Sequence, residues 1–444
     1  MTSLRALLSH LTGRVRPAAP RAPDILPYKG KIEELSPYHV AGWAENPGNS
    51  AERTALVVRR ADTGEILAQG RADNFRHTLT HIGASDDGHG FYLRFAAPLD
   101  AAALAQVQVV PADGGAPLPR AAHVSPDYQP LMLIAGDIVD NCNLRCPFCL
   151  YDYTNVRTTN VMEEATIEAA LRFLPYVTDS NFWFSCLHEP TLHPDLMRFV
   201  DKVPREWRHK LFYTTNLAKR MPPEYYPWLA DAGLHHVNIS IESRVPEIYE
   251  KMRKGARFRI FQENWDLLMQ AAAAHPNPTP IRYITMVYRS NYREVPDLVK
   301  YLLEERRGSL IELRYTFVAP WLPADFRDTE FLEPEGWLWL RDQLAGYSAE
   351  KVRLIMPPEV TPETPSLDIE LTNRTNSAAG VRVDEGVRHF LPGRYQTRLS
   401  WNGNLEITPF WAHPYEEGPG QAPIRTVNVR DIDDPIKFLM DLPD

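Results

Sequence analysis

From residue 131 to about 320, six short apolar runs alternate with amphipathic stretches, and this alternation limits the possible folds more than any other feature of the sequence. The runs are 131–138, 181–185, 210–215, 236–241, 281–287 and 311–317, and the amphipathic stretches between them include 162–174, 223–232, 258–273 and 295–305. Strands separated by helices pair in parallel, because each return needs a crossover, and crossovers of this kind are right-handed. The predicted fold is therefore α/β, a partial (βα)6 TIM-like barrel over residues 131–320. Its site should lie at the carboxyl ends of the strands.

The flanking regions follow other patterns. Residues 28–125 contain short β runs at 40–43, 54–60, 65–68, 90–95 and 105–110, separated by turn signals at Asn46-Pro47-Gly48, Asp62-Thr63-Gly64 and Asp86-Asp87-Gly88. Such spacing predicts an N-terminal β-sandwich domain. Residues 1–27 read as a flexible N-terminal arm; the Leu4, Leu7, Leu8 and Leu11 pattern leaves open a short amphipathic helix touching a membrane surface. Beyond residue 320 the pattern loosens, and 357–392 reads as an irregular crossing segment. A hairpin turning at Asn402-Gly403 and a final helix over 435–442 complete a small C-terminal cap, 321–444.

The net charge of −9 lacks the basic excess of a general nucleic-acid binder. No apolar run reaches the length of a membrane span. The chain has four cysteines, Cys142, Cys146, Cys149 and Cys186, and three of them fall within eight residues. A secreted chain would spread its cysteines as staples, so a reducing, cytoplasmic setting is expected.

The triplet Cys142-Asn-Leu-Arg-Cys146-Pro-Phe-Cys149 directly follows the first strand, in a loop where three thiolates can converge on one centre. Thiolates ligate iron–sulfur clusters, and three of them leave one iron of a four-iron cluster open. A zinc site is the alternative, with Cys186 or His188 as a further ligand.

With Phe148 before its last cysteine, the triplet resembles the signature of the radical S-adenosylmethionine (SAM) superfamily. The resemblance implies a [4Fe–4S] cluster on Cys142, Cys146 and Cys149, with SAM at the open iron. It also implies an external one-electron reductant such as flavodoxin or ferredoxin, and a 5′-deoxyadenosyl radical that abstracts hydrogen from a substrate. Further segments match in chain order. Glu189, in Ser185-Cys-Leu-His-Glu189-Pro, corresponds to the glutamate that accepts hydrogen bonds from the SAM ammonium. Thr214-Thr215-Asn216 resembles the family's Thr-Asn-Gly turn, with Leu217 replacing the glycine. Ser240 and Glu242 fall where the family meets the SAM ribose and carboxylate, Glu242 standing for a commoner Asp. Arg253 matches a common arginine, and Phe148, Thr215 and Asn216 join the cofactor-binding set. Cys186 and His188 replace small residues. His188 is the candidate catalytic proton shuttle, and Cys186 is either a hydrogen donor or a buried thiol. Met286 packs on adenine or in the core.

The segment from Arg398 to Leu442 resembles a SPASM-like extension without its cysteines; no cysteine follows Cys186, so no thiolate-ligated auxiliary cluster is expected there. Trp401, Phe410, Trp411 and Tyr415 would suit stacking on a sugar or peptide, or packing against the barrel. Residues 28–125 resemble a β-rich module attached to bacterial glycosyltransferases, through Ala41-Gly-Trp-Ala44, Arg71-Ala-Asp-Asn-Phe-Arg76 and Gly88-His-Gly-Phe91. The expected substrate is a sugar, nucleotide-sugar or glycan precursor. The alternatives are modification of a peptide or protein, and a catalytically idle metal-binding scaffold.

Overall fold

The structure, a computed structural model, describes residues 28–74, 79–185, 187–357, 360, 394–409 and 423–443. The chain divides into two compact units between Pro126 and Asp127.

The first unit is β-rich. One sheet has the order β5-β2-β1-β7, from β1 (Lys29–Leu35), β2 (His39–Glu45), β5 (Gly90–Arg94) and β7 (Arg120–Ser125); a second has the order β4-β3-β6, from β3 (Ala55–Arg60), β4 (Ile66–Arg71) and β6 (Val107–Pro111). A short helix, α1 (Ala101–Ala105), precedes β6 and is capped by the Asp100 side chain. Both sheets contribute to one apolar core, with Ile32, Val40 and Phe91 from the first and Leu56, Val58 and Val109 from the second. The Ala41-Gly-Trp-Ala44 run lies in β2, every residue of which is buried. Gly42 is required there, since a Cβ would stand 2.1 Å from the Lys31 carbonyl oxygen. His89, in the glycine-flanked turn, is buried with Nε2 2.9 Å from Arg53 Nη1. These motifs do structural work. Residues 75 and 76, the end of the Arg71–Arg76 motif, lie outside the described residues.

The second unit carries one long sheet of order β14-β13-β12-β11-β10-β9-β8-β15-β16-β17. Its strands are β8 (Leu131–Gly136), β9 (Phe182–Trp183), β10 (Leu211–Thr215), β11 (His236–Ser240), β12 (Ile281–Met286), β13 (Gly308–Arg314), β14 (Val352–Ile355), β15 (Tyr395–Leu399), β16 (Asn404–Pro409) and β17 (Arg425–Asn428). From β8 to β14 the strands run parallel and in chain order, which is the expected barrel progression. The connecting helices are α2 (Glu164–Leu171), α3 (Leu196–Asp201), α4 (Tyr225–Asp231), α5 (Pro246–Met252), α6 (Phe258–Ala274) and α7 (Val295–Glu304), followed by α8 (Ala324–Glu330), α9 (Pro334–Leu344) and, at the end of the chain, α10 (Pro435–Met440).

Helical spacing explains the burial. In α6, Phe261, Trp265, Leu268 and Ala272 form one buried stripe, and in α7 Val295, Leu298, Val299 and Leu302 do the same. Pro246 and Pro296 open α5 and α7 in the first turn, where a missing N–H is harmless.

Three differences from the sequence reading stand out. β9 is only two residues long, because the chain leaves the ladder to build the loop that ends at Glu189. β13 begins at Gly308, three residues early. Arg307 is in the left-handed region (φ 54°), and Gly308 passes so close to α7 that a Cβ would stand 2.9 Å from the Leu302 carbonyl oxygen. The region after residue 320 is not a separate cap. Its strand β14 extends one edge of the barrel sheet, and β15 pairs in parallel with β8 at the other edge. The β15–β16 hairpin turns at Gly403 (φ 88°) as expected. Its outer face, with α10, closes an apolar seam against α2 through Ile134, Ala170, Phe173, Leu405, Ile407 and Phe438. Among the described residues no helix is long and apolar enough to cross a membrane.

Candidate functional site

The chain leaves β8 at Gly136 and enters a loop closed at its neck. Asp140 accepts hydrogen bonds from the backbone and side-chain nitrogens of Asn160 (2.7 and 2.5 Å), and Val139 bridges Val161. Asp137 Oδ1 accepts from the backbone N–H of Leu187 and His188 (2.9 and 3.3 Å), and the Asn141 carbonyl accepts from Glu189 N (3.1 Å). The loop bearing the cysteines and the segment bearing Glu189 are thus zipped together at the ends of adjacent strands.

Within the loop, the Cys149 N–H donates to the Cys146 carbonyl (3.1 Å), a turn that brings the second and third cysteines round. Arg145 pins the first bend through the Cys142 and Leu144 carbonyls (2.6 and 2.7 Å). The sulfur of Cys142 receives the Leu144 N–H at 3.4 Å and the Asn216 side-chain amide at 3.5 Å. All three cysteines are free thiols. Burial raises each thiol pKa, that of Cys146 to about 12 although the Arg253 charge pulls it down; Cys142 is raised further by the charge of Glu189. Dry thiols of this kind ionise when a metal supplies the missing positive charge, so the donor set fits a cluster. Among the described residues no three His, Cys, Asp or Glu side chains already stand in a metal-holding group.

Glu189 is buried at the centre of the site. Its Oε1 accepts from Thr191 N (3.2 Å), Thr191 Oγ1 (2.7 Å) and Thr215 Oγ1 (2.8 Å), and its Oε2 accepts from Asn216 N (2.8 Å). Burial raises its pKa, and these four donors oppose the rise. Asn216 also donates from its side chain to Asn143 Oδ1 (2.9 Å), so it joins the glutamate to the cysteine loop. The turn after β10 keeps its geometry without glycine. Leu217 takes φ 52°, buried, at a strain of about 1–2 kcal/mol.

Glu242, expected from sequence where the SAM ribose and carboxylate are met, pairs here with Arg253. It is wholly buried, and both oxygens are taken by Arg253, at 2.5 Å from Nε and 2.6 Å from Nη2. The Asn291 amide holds its carbonyl (2.8 Å). Arg253 in turn lies 5.4 Å from the Phe148 ring centroid. Phe148 packs with Met252, Tyr288, Leu322 and Phe326, and Met286 and Cys146 border the same cluster. Met286 is therefore a packing residue there. Ser240 ends β11 and is buried.

His188 is buried, with Nδ1 2.7 Å from the Tyr153 hydroxyl and its ring edge-on to Tyr151. Burial lowers its pKa, so the imidazole is neutral near pH 7. Tyr153, which also donates to the Leu187 carbonyl (3.1 Å), was not among the expected site residues. The aromatic pair Tyr151 and Tyr153, just after the last cysteine, was the available signal. Cys186, Phe410, Trp411 and Tyr415 lie outside the described residues. Trp401 sits in the β15–β16 turn, half-buried.

Residues 137–302 match the profile of the radical SAM superfamily. The chain carries a radical SAM domain. A [4Fe–4S] cluster and SAM are the cofactors that come with it. Among characterised relatives, the radical SAM domain is similar to a GTP 3′,8-cyclase of Cyanothece, 26% identical over 175 residues, covering 38% of this chain and 51% of that one. A probable GTP 3′,8-cyclase of Thermococcus kodakarensis is 24% identical over 185 residues, covering 42% and 57%. The chain spans about half the length of these relatives. Solved structures similar to it include Streptococcus suis SuiB bound to its precursor peptide SuiA (TM-score 0.45, 13% identity, covering 63% of this chain and 59% of that one). The hydrogenase maturase HydG of Carboxydothermus hydrogenoformans gives a TM-score of 0.38 at 12% identity, covering 70% and 66%.

Proposed function

We propose that this radical SAM enzyme reductively cleaves SAM at a cluster held by Cys142, Cys146 and Cys149, and that the substrate is a small polar metabolite, a sugar, nucleotide-sugar or glycan precursor. The observation that carries the reading is Asn216, which touches the Cys142 sulfur with its side chain and the Glu189 carboxylate with its backbone. Cluster and SAM, when bound, supply a 5′-deoxyadenosyl radical that takes a hydrogen atom from the substrate.

The chain's own residues hold and orient. Glu189 Oε1 is filled by three donors, whereas Oε2 has one, from Asn216, and keeps a lone pair for the SAM ammonium. Arg253, fixed by Glu242, holds a positive charge beside Cys146. Phe148 packs in the apolar cluster that borders Cys146. Thr215 and Ser240 mark the ends of β10 and β11, where SAM would lie. Neutral His188, oriented by Tyr153 through Nδ1, is the proton acceptor for the substrate side. The zinc alternative would draw on the same His188, whose Nδ1 already faces the Tyr153 hydroxyl.

Two observations favour a small substrate. The cyclases named above act, by their names, on a nucleotide. No cysteine beyond Cys186 is present for auxiliary clusters. We place the reaction in the cytoplasm, with flavodoxin or ferredoxin as the electron source. The test is anaerobic reconstitution with SAM and a chemical reductant. Methionine and 5′-deoxyadenosine should form, with deuterium passing from labelled sugar phosphates or nucleotide-sugars into the deoxyadenosine. Deuterium transfer from a peptide would establish the peptide reading instead, and no SAM cleavage with an intact cluster would leave only the scaffold.

A further inference from the structure

The inner face of the barrel sheet can be read from strand alternation. Tyr213 bonds Tyr225 on α4 (2.7 Å), and Tyr283 accepts from Trp265 on α6 (2.8 Å), so these residues point toward the helices. Their strand neighbours Thr214 and Arg282 point the other way. Register extends that concave face sideways. Thr214, Asn238 and Arg282 lie side by side on β10, β11 and β12, and Ser240, Ile284, Glu312 and Arg353 do so on β11 to β14.

Arg282 is out of place for a structural residue. Its side chain is partly buried and makes no hydrogen bond or ion pair with any described residue. Glu312, the nearest acid it feels, is already bonded by Arg314. Arg353, likewise without a described partner, adds a second positive charge close enough to repel it. Burial, and then this repulsion, lower the Arg282 pKa to about 10. The buried His236, at the foot of the same face, is held neutral by burial and by the same arginine. Two guanidinium groups that share one half-dry face cost free energy unless an anion lies between them.

We propose that Arg282 and Arg353 form the phosphate-binding subsite for a phosphorylated small-molecule substrate. A dianionic phosphate fits better than a carboxylate, because two like charges must be offset and guanidinium forks match phosphate oxygens two at a time. The placement suits this. Met286, four residues along β12 on the same face, borders the Phe148 and Cys146 cluster, which puts Arg282 about 13 Å below it at the rise of a strand. A sugar phosphate or nucleotide anchored there extends up the face toward the cysteine loop. The inference rests on the proposed function, in that this face is taken as the substrate's side.

The test uses the full chain with its cluster, anaerobically, at low ionic strength. Calorimetric titration with inorganic phosphate and with pyrophosphate should show saturable binding, and acetate and glutarate should show none. Arg282→Gln and Arg353→Gln should each weaken phosphate binding by about tenfold to a hundredfold, the range for losing a charge-assisted hydrogen bond. Arg282→Met should also raise the melting temperature of the phosphate-free protein, since it removes an uncompensated charge. Unchanged phosphate affinity in both Gln variants, a preference for carboxylates, or a lower melting temperature in Arg282→Met would overturn the assignment. SAM cleavage is measured on the same preparations. Cleavage without phosphate binding sinks this inference alone, and phosphate binding without cleavage leaves it standing while the proposed function fails.

Discussion

Replacing Glu242 with glutamine separates a structural from a cofactor-binding role for this residue. In the structure its two oxygens receive two guanidinium N–H groups of Arg253; the glutamate is wholly buried and the arginine nearly so. Burial disfavours the arginine's charge, but the facing carboxylate, with Cys146 and Tyr249, outweighs it, and the Arg253 pKa is raised overall. The arginine therefore stays charged. In Glu242→Gln the amide oxygen can keep one of the two bonds, but the amide NH2 faces the second donor and the cation loses its counter-charge. Breaking a buried pair from one side costs about 3–5 kcal/mol. Removing both partners, in Glu242→Met/Arg253→Met, should cost less than either single change, because no charge is left stranded. Urea denaturation of the 127–444 unit, followed by its aromatic signal, measures each variant. A cost under about 1 kcal/mol for Glu242→Gln, or simple additivity in the double variant, would refute the buried-pair account. It would return Glu242 to the open ribose position expected from sequence.

Anaerobically reconstituted protein should carry about four irons per chain; Ala at Cys142, Cys146 or Cys149 should abolish this, and Cys186→Ala should not, as read by iron analysis and the reduced-cluster spectrum. Glu189→Gln should weaken SAM binding by about tenfold to a hundredfold, since it removes the charge opposite the ammonium; equal SAM affinity would contradict the role given to Oε2. Stability should fall with acid below about pH 6.5, because His235 (pKa about 4) and His236 bind protons less readily folded than unfolded. For each histidine kept neutral the loss is roughly 1.4 kcal/mol per pH unit between its folded and unfolded pKa values. In His236→Phe, which keeps the stack on Phe212, the slope between pH 6.5 and 5 should flatten; an unchanged slope would show that His236 is not the group concerned.

The barrel was legible because its signals are local. Each parallel strand is an apolar run, each crossover a periodic helix, and the cysteine triplet is contiguous, so order along the chain fixes order in the sheet. Strand β14 and the pairing of the β15–β16 hairpin with the barrel escaped that logic. β14 is four residues long and half-exposed, and β15 reaches its partner β8 across some 260 positions, so no nearby turn or repeat announces the pairing. The site divides in the same way. Cys142, Glu189 and Asn216 were identifiable as motif residues, and the structure brings them together. What each side chain touches was not legible, because contacts depend on the pleat. Glu242 and Ser240 are two residues apart on and just beyond β11, yet the glutamate is claimed by an arginine eleven residues later. Tyr153 was invisible for a related reason, since its partner His188 comes from the loop after the next strand.

Arg282 shows the limit most sharply. In the sequence it is one arginine inside an apolar strand, Ile281-Arg-Tyr-Ile-Thr-Met286, and the default reading is a charge that reaches solvent or finds an acid. Strand alternation turns it to the concave face, the parallel register sets Arg353 on that face two strands away, opposite Glu312, and Arg314 already bonds Glu312. A charge stranded in that way lowers stability, and a fold retains such a cost most readily where a ligand offsets it. The phosphate subsite is therefore a statement about pairing across strands β12 to β14, and it could be made only after the register was known.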